Sequence, residues 1–292
     1  MMNRRQFMGA CTAALGACVL ARPAPADEEA RWRKSLYVMD TWFWEADNAN
    51  EMDVPAQVAL VKQLGFGGLA LSWGAKHAER LASLKEAGLE TPGIYVTAGI
   101  DAGTYPAHLK QCIEFMKGTG GLIWLALTAQ KHRRSDPAGD DAALALVKQC
   151  ADGCMAAGLP GVALYPHVGF WMEKVADAAR VAKQADRPDV GVQFNQFHWM
   201  AADGGKELRK TLEDAAPHLK GVSVNGSAAA APSILPLGEG DYDVRPILQA
   251  LAELGYKGPV SHQGYSIKGD LPRRLAAAKA AWDDLVARAP RP

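Results

Sequence analysis

Residues 161–167 read GVALYPH and residues 190–198 read VGVQFNQFH. Each is a short apolar run that breaks into polar residues at its C-terminal end and is followed by a stretch with helical patterning. Six more runs share this form. Upstream lie LYVMDTWFW from Leu36, GGLALSW from Gly67, PGIYVTA from Pro92 and GLIWLAL from Gly121; downstream lie LKGVSVNG from Leu219 and GPVSHQGYS from Gly258. Successive runs start about 25 to 40 residues apart. Strands that alternate with helices pair in parallel through crossovers, and eight such units close a (β/α)8 barrel. The expected fold class is therefore α/β, a single-domain eight-stranded barrel over residues 27–292. In that architecture chemistry sits at the C-terminal ends of the strands.

Composition excludes several classes. Lysine plus arginine equals aspartate plus glutamate at 32 each. Three of the arginines (Arg4, Arg5, Arg22) precede residue 27, so the remainder carries 29 basic against 32 acidic residues. Such a balance offers no footprint for nucleic acid or an anionic membrane. The 29 glycines and alanine-rich stretches fit a compact α/β scaffold.

Residues 1–26 read as a targeting segment. Asn3-Arg4-Arg5-Gln6-Phe7-Met8 matches the twin-arginine export motif, and the apolar stretch from Phe7 to Ala21 is shorter than the ~20 residues of a membrane span. Ala24-Pro25-Ala26 supplies a small-x-small cleavage pattern. The expected localisation is periplasmic. An alternative is a lipoprotein anchored through Cys18, because Leu15-Gly16-Ala17-Cys18 resembles a lipobox.

Beyond the leader remain Cys112, Cys150 and Cys154. The last two, four apart on an expected helix over Asp141–Ala157, read as small packing residues, because no further ligands accompany them. The longest strand-to-helix loop, NGSAAAAPSILPLGEGDYD from Asn225, has an alanine-rich middle that suggests a flap over the catalytic face.

The strand ends supply the candidate site. Strand five ends in Tyr165, Pro166 and His167; strand six in Asn195, Gln196, Phe197, His198 and Trp199; strand seven in Ser223, Val224 and Asn225; strand eight in His262, Gln263, Gly264 and Tyr265. Four neighbouring strands thus end in uncharged hydrogen-bonding side chains. Trp42, Phe43 and Trp44 are expected to end strand one and Trp73 strand two, with Phe170, Trp171, Trp199 and Tyr265 in or beside later loops. Indole faces suit the C–H faces of a sugar ring, although aromatics there also cap barrel cores. Asp40, Glu45, Asp47, Asp101, Lys131 and His132 are charged candidates on the same face.

The C-terminal half resembles the xylose-isomerase-like TIM-barrel superfamily of sugar isomerases, epimerases and relatives of endonuclease IV. Leu237-Gly238-Glu239-Gly240-Asp241-Tyr242-Asp243 is similar to that family's Gly-x-Gly-x-x-Asp turn, and Gly255-Tyr256-Lys257-Gly258-Pro259 to its lead-in to the last strand. The resemblance implies a divalent metal held by Glu, Asp, His and Glu on strands five to eight. At those positions this chain carries Tyr165, Asn195, Ser223 and Gln263. Hard cations need anionic oxygen or imidazole ligands, so no standard metal site is expected. The amides keep shape and hydrogen bonding while removing charge, which reads as a pocket remodelled for a neutral, hydroxyl-rich ligand.

What the resemblance implies is a sugar-processing enzyme that abstracts a proton next to a carbonyl, giving isomerisation, epimerisation or β-elimination. His198 or His167 is the expected base, with Tyr165 alongside as a catalytic candidate. Asn195, Gln263, Asn225, Trp42, Trp73, Trp199 and Lys131 are expected to bind the small-molecule carbohydrate. The alternative is a non-catalytic periplasmic carbohydrate-binding protein on the same barrel. Phosphodiester cleavage fits poorly, since it needs clustered metals and a basic groove.

Overall fold

Hydrogen-bonded pairing runs in strand order around a closed barrel, β1 (Leu36–Met39), β2 (Leu69–Ser72), β3 (Gly93–Gly99), β4 (Leu122–Thr128), β5 (Val162–Leu164), β6 (Val190–Asn195), β7 (Leu219–Val224) and β8 (Val260–His262). Every pair is parallel, and β1 closes on β8 with Leu36 opposite Val260 and Val38 opposite His262. This computed structural model describes residues 29–45, 52–74 and 76–290. The expected leader, the Cys18 anchor and Asp47 lie outside the described residues.

The helices are α1 (Arg31–Lys34), α2 (Trp42–Glu45), α3 (Val54–Gln63), α4 (His77–Ala87), α5 (Ala107–Met116), α6 (Asp140–Ala156), α7 (Val175–Ala185), α8 (Gln196–Asp203), α9 (Leu208–Ala215), α10 (Arg245–Glu253) and α11 (Leu271–Arg288). The single-domain barrel expected from the eight runs is what forms. Two run ends are corrected. Trp42–Trp44 do not extend strand one but form the turn of helix α2, and His198 and Trp199 belong to α8 rather than β6. An apolar run does not reveal where a strand gives way to the first turn of a helix. Here Asn195 makes the change, its side chain accepting from the His198 amide as the N-cap of α8.

Alternation divides each strand between two layers. Val38, Leu71, Val96, Ile123 and Leu125 belong to the large core packed under the helices, while Met39, Ala70, Trp124, Ala126, Ala163 and Tyr165 fill the barrel interior. Large and small residues interlock there: a Cβ on Gly93 would stand 2.3 Å from Trp124 Nε1. The β6–β8 side of the interior is polar instead, carrying buried Gln193, Asn195, Ser223, Ser261 and Gln263. Gln193 Nε2 donates to Ser223 Oγ at 2.9 Å. Cys112, Cys150 and Cys154 are free and buried on α5 and α6, as packing residues would be.

The long loop after β7 is fastened at several points. Gly226 and Leu235 exchange backbone hydrogen bonds, the Tyr242 amide donates to Ser227 O, and Asn225 Nδ2 donates to Gly226 O and Ser233 O. The tip around Ala229–Ala231, where the alanines suggest a flap, is exposed, with the Ala229 amide donating to Asp241 Oδ1 at 2.7 Å.

Candidate active site

The C-terminal mouth of the barrel opens into a cavity of about 350 Å³, within the range of small-molecule sites. Its wall includes Met39, Ser72 and Tyr95 from β1–β3, Tyr165, His167 and Val168 after β5, Phe197 and His198 on α8, Ile234 from the long loop, and Gln263 and Tyr265 after β8. Thr41 and Trp44 complete the lining. Among the described residues no lysine or arginine belongs to it.

At the centre lies a triad of amide and phenol. Asn195 Nδ2 donates to Tyr165 Oη at 2.6 Å and to Gln263 Oε1 at 2.7 Å, and its Oδ1 accepts from the His198 amide at 3.1 Å. Both amide hydrogens and the carbonyl of Asn195 are therefore engaged within the protein. Asn195, expected among the ligand-binding residues, stands behind the lining and orients Tyr165 and Gln263, which belong to it. Gln263 keeps its amide hydrogens and Tyr165 its hydroxyl proton. Burial pushes the Tyr165 phenol far above its ordinary value, so it stays protonated. Thr41 Oγ1, buried and without a partner among the described residues, is a further hydroxyl at the wall.

His167 and His198 stand face to face, ring centroids 4.0 Å apart and planes 37° off parallel. Both contact one residue between them in the fold. The Val168 amide donates to His198 Nδ1 at 3.3 Å, and His167 Nδ1 lies 2.9 Å from the Val168 carbonyl oxygen. A carbonyl only accepts and an amide N–H only donates, so His167 carries its proton on Nδ1 and neutral His198 carries its proton on Nε2. Burial lowers both imidazoles below their ordinary value, His198 well below, where His167 also opposes its charge. Phe170 stacks on His167, with centroids 4.1 Å apart, and Tyr165 meets His198 edge-on. The pair is thus neutral and of opposite tautomers.

Other expected ligand contacts are absent from the wall. Trp42 is fully buried, its Nε1 2.9 Å from His262 Nδ1. Trp199 is buried against Phe194, and Trp73 packs on His77 and Phe115. Asn225 fastens its own loop, and Lys131 is exposed in the loop after β4, its amide donating to Asp101. These side chains face the helical layer, the loops or solvent because the chain turns immediately after each short strand.

Tyr95 is not among the residues expected from the sequence, and His262 and Asp40, which are, take places the sequence does not show. Tyr95 lines the cavity; strand alternation in PGIYVTA places it with Gly93 on the inner parity. His262 is fully buried, with Trp42 Nε1 2.9 Å from its Nδ1 and the Leu237 amide 2.9 Å from its Nε2, of which a neutral imidazole can accept from only one. Burial lowers its pKa to about 3. Asp40, named only as one of several charges, is fully buried, and desolvation raises it to about 6 against the opposing Arg80 charge. It accepts from Ser72 Oγ at 2.7 Å and the Ser72 amide at 3.1 Å, with Arg80 at 3.3 Å. It anchors a cavity residue from behind.

The metal positions implied by the resemblance can be tested on donor chemistry. Both amide hydrogens of Asn195 are engaged and its carbonyl accepts from the His198 amide, Gln263 Oε1 accepts from Asn195, Tyr165 keeps its proton and Ser223 Oγ accepts from Gln193. That set offers neither charge nor imidazole and does not fit a hard divalent cation. No group of three or more His, Cys, Asp or Glu poised for a metal occurs among the described residues.

A family profile described as a xylose isomerase-like TIM barrel matches residues 58–284. The putative hydroxypyruvate isomerase of Homo sapiens is 26% identical over 117 residues, covering 39% of each chain. The chain thus aligns with about two fifths of the length of that curated relative. Among solved structures, a 3-keto-D-glucoside 4-epimerase from E. coli superposes with a TM-score of 0.66 at 16% identity, over 87% of this chain and all of the other. A D-psicose 3-epimerase from Clostridium cellulolyticum gives 0.67 at 15% identity, over 86% and 99%. At these identities the structural likeness is one of fold.

Proposed function

The chain belongs to the xylose isomerase-like TIM barrel family, and on that premise we propose that it is a sugar-processing enzyme that removes a proton next to a carbonyl. The substrate is a keto-sugar or oxidised glycoside, and the outcome is isomerisation, epimerisation or β-elimination. The observation that carries this reading is the opposite tautomers of His167 and His198 on one cavity wall.

With Nδ1–H spent on Val168, His167 presents the Nε2 lone pair as the base. It takes the α-proton, and the C–H electron pair moves into the carbonyl to give an enediolate oxygen. His198 donates Nε2–H to that oxygen while remaining neutral, as its depressed pKa requires. Tyr165 and the Gln263 amide add donors of fixed direction, held by Asn195. The proton on His167 then returns to carbon or leaves with a β-alkoxide. The reading needs no divalent metal, and it includes export by the twin-arginine route, with anchoring through Cys18 as the alternative.

The test is incubation of the full chain with keto-sugars and 3-keto-glycosides in deuterated water, followed by NMR. Exchange at the α-carbon is expected, and His167→Asn should lower its rate by ~10²–10⁴. Undiminished exchange in that variant would remove the base assignment. A wild type that binds these sugars without exchanging any proton would be the non-catalytic carbohydrate-binding protein.

A further inference from the structure

Most large aromatics of this chain are hidden: Trp32, Trp42, Trp124, Trp171, Trp199 and Trp282 are each almost fully buried. Trp44 and Tyr265 depart from that pattern, at 47% and 45% exposed. Together with Met155 they are the exposed large hydrophobics among the described residues. Met155 sits near the end of α6, whereas the two aromatics share the rim of the cavity. Exposed indole and phenol surface forgoes the gain of burial, and clustering it at a cavity mouth points to a ligand that covers it.

The geometry of the pair narrows the ligand. Their ring centroids are 6.2 Å apart with planes at 80°, so edge meets face and the rings form an open corner. Trp44 is held on α2, whose Trp42 is buried beside His262, and Tyr265 follows Gln263 by two residues. The corner is therefore tied to the same strand ends that carry the amide donors. Among the described residues the cavity lining contains no lysine or arginine, which disfavours a phosphorylated sugar, since a phosphate needs charge-assisted donors.

We propose that Trp44 and Tyr265 form an outer subsite for a second ring with an apolar face, so that the substrate is an unphosphorylated glycoside and not a free monosaccharide. The reacting carbonyl ring lies inward, against His167 and His198. The linked ring, a pyranose or an aryl group, lies in the aromatic corner. This proposal rests on the keto-sugar reading for the inner ring only.

Calorimetry on the full chain with three probes tests it: the methyl, phenyl and glucosyl glycosides of 3-keto-glucose. The phenyl and glucosyl compounds should bind about tenfold more tightly than the methyl compound, the scale of one aromatic contact. Trp44→Ala and Tyr265→Ala should bring that ratio close to one, Trp44→Phe should leave it intermediate, and Met155→Ala should not change it. Melting curves check that each variant folds. A preference for phenyl alone or glucosyl alone identifies the natural second ring and sustains the subsite. Equal binding of all three in the wild type, a ratio that survives both alanine variants, or no binding of any probe overturns it. Binding does not depend on turnover. A ratio that collapses in the variants without proton exchange in the wild type would therefore keep the subsite and discard the enzymatic reading.

Discussion

The rings of His167 and His198 lie 4.0 Å apart, and Val168 contacts both, its N–H directed at one imidazole and its carbonyl at the other. One residue's backbone thereby makes two chemically identical side chains inequivalent. The base is expected to stay competent below the ordinary imidazole range, because burial depresses His167. A pH profile of kcat/KM should show a flat region through neutrality and an acid limb below pH 6.5. An acid limb centred above 6.5 would contradict a buried neutral base.

His262 should make acid stability depend on pH. Its folded pKa, about 3, lies below the unfolded value near 6.5. The unfolded state binds more protons between those values, so this contribution is complete above pH 6.5 and declines as pH falls toward 3. Melting temperature across that window should fall more steeply in the wild type than in His262→Gln. Equal slopes would remove the assignment.

Asp40 and Arg80 form a buried ion pair, both nearly inaccessible. Asp40→Asn leaves the guanidinium without that counter-charge and should cost about 3–5 kcal/mol in urea unfolding. Asp40→Asn combined with Arg80→Met should recover part of the loss. A double variant no more stable than the single would show that the charges are not coupled.

Gly264 is adjacent to Gln263, and a Cβ there would stand 1.9 Å from Trp42 Cδ1. Trp42 is fully buried and unable to retreat without disturbing His262. Gly264→Ala is expected to destabilise by about 1–3 kcal/mol and to weaken sugar binding through Gln263. Unchanged unfolding and unchanged affinity would show that the indole gives way freely.

Asn195→Ala should raise KM and lower kcat together, since Tyr165 and Gln263 lose the amide that orients both. Loss of the α8 cap adds about 1 kcal/mol of destabilisation. Exhaustive dialysis of the wild type against a chelator should leave proton exchange intact. Loss of exchange that returns with added zinc, manganese or cobalt would show a metal site outside the amide positions.

Much of the site was legible because strand alternation and strand ends are local properties. Tyr165, His167, His198 and Gln263 all reach the cavity, and each ends or follows an apolar run. Trp42, Trp73, Trp199, Asn225 and Lys131 were placed by the same logic and lie elsewhere. The reason is that short strands hand over to loops or helices at once, and a side chain beyond that point follows the turn, not the strand parity. The cap at Asn195 was readable as a residue type, yet two of its three hydrogen bonds join β6 to residues 30 and 68 positions away.

The amino-acid sequence by itself determined the eightfold strand–helix order, because hydrophobic periodicity and turn residues act over a few positions, and a closed parallel barrel buries eight such strands. It also determined that the residues at the implied metal positions are uncharged. Only the tertiary structure decided which histidine holds a free Nε2 lone pair, that Asn195 is spent inside the protein, and that Trp44 and Tyr265 meet at the mouth. Those outcomes depend on hydrogen bonds and ring contacts between chain segments far apart in sequence, and periodicity carries no information about distances across a barrel.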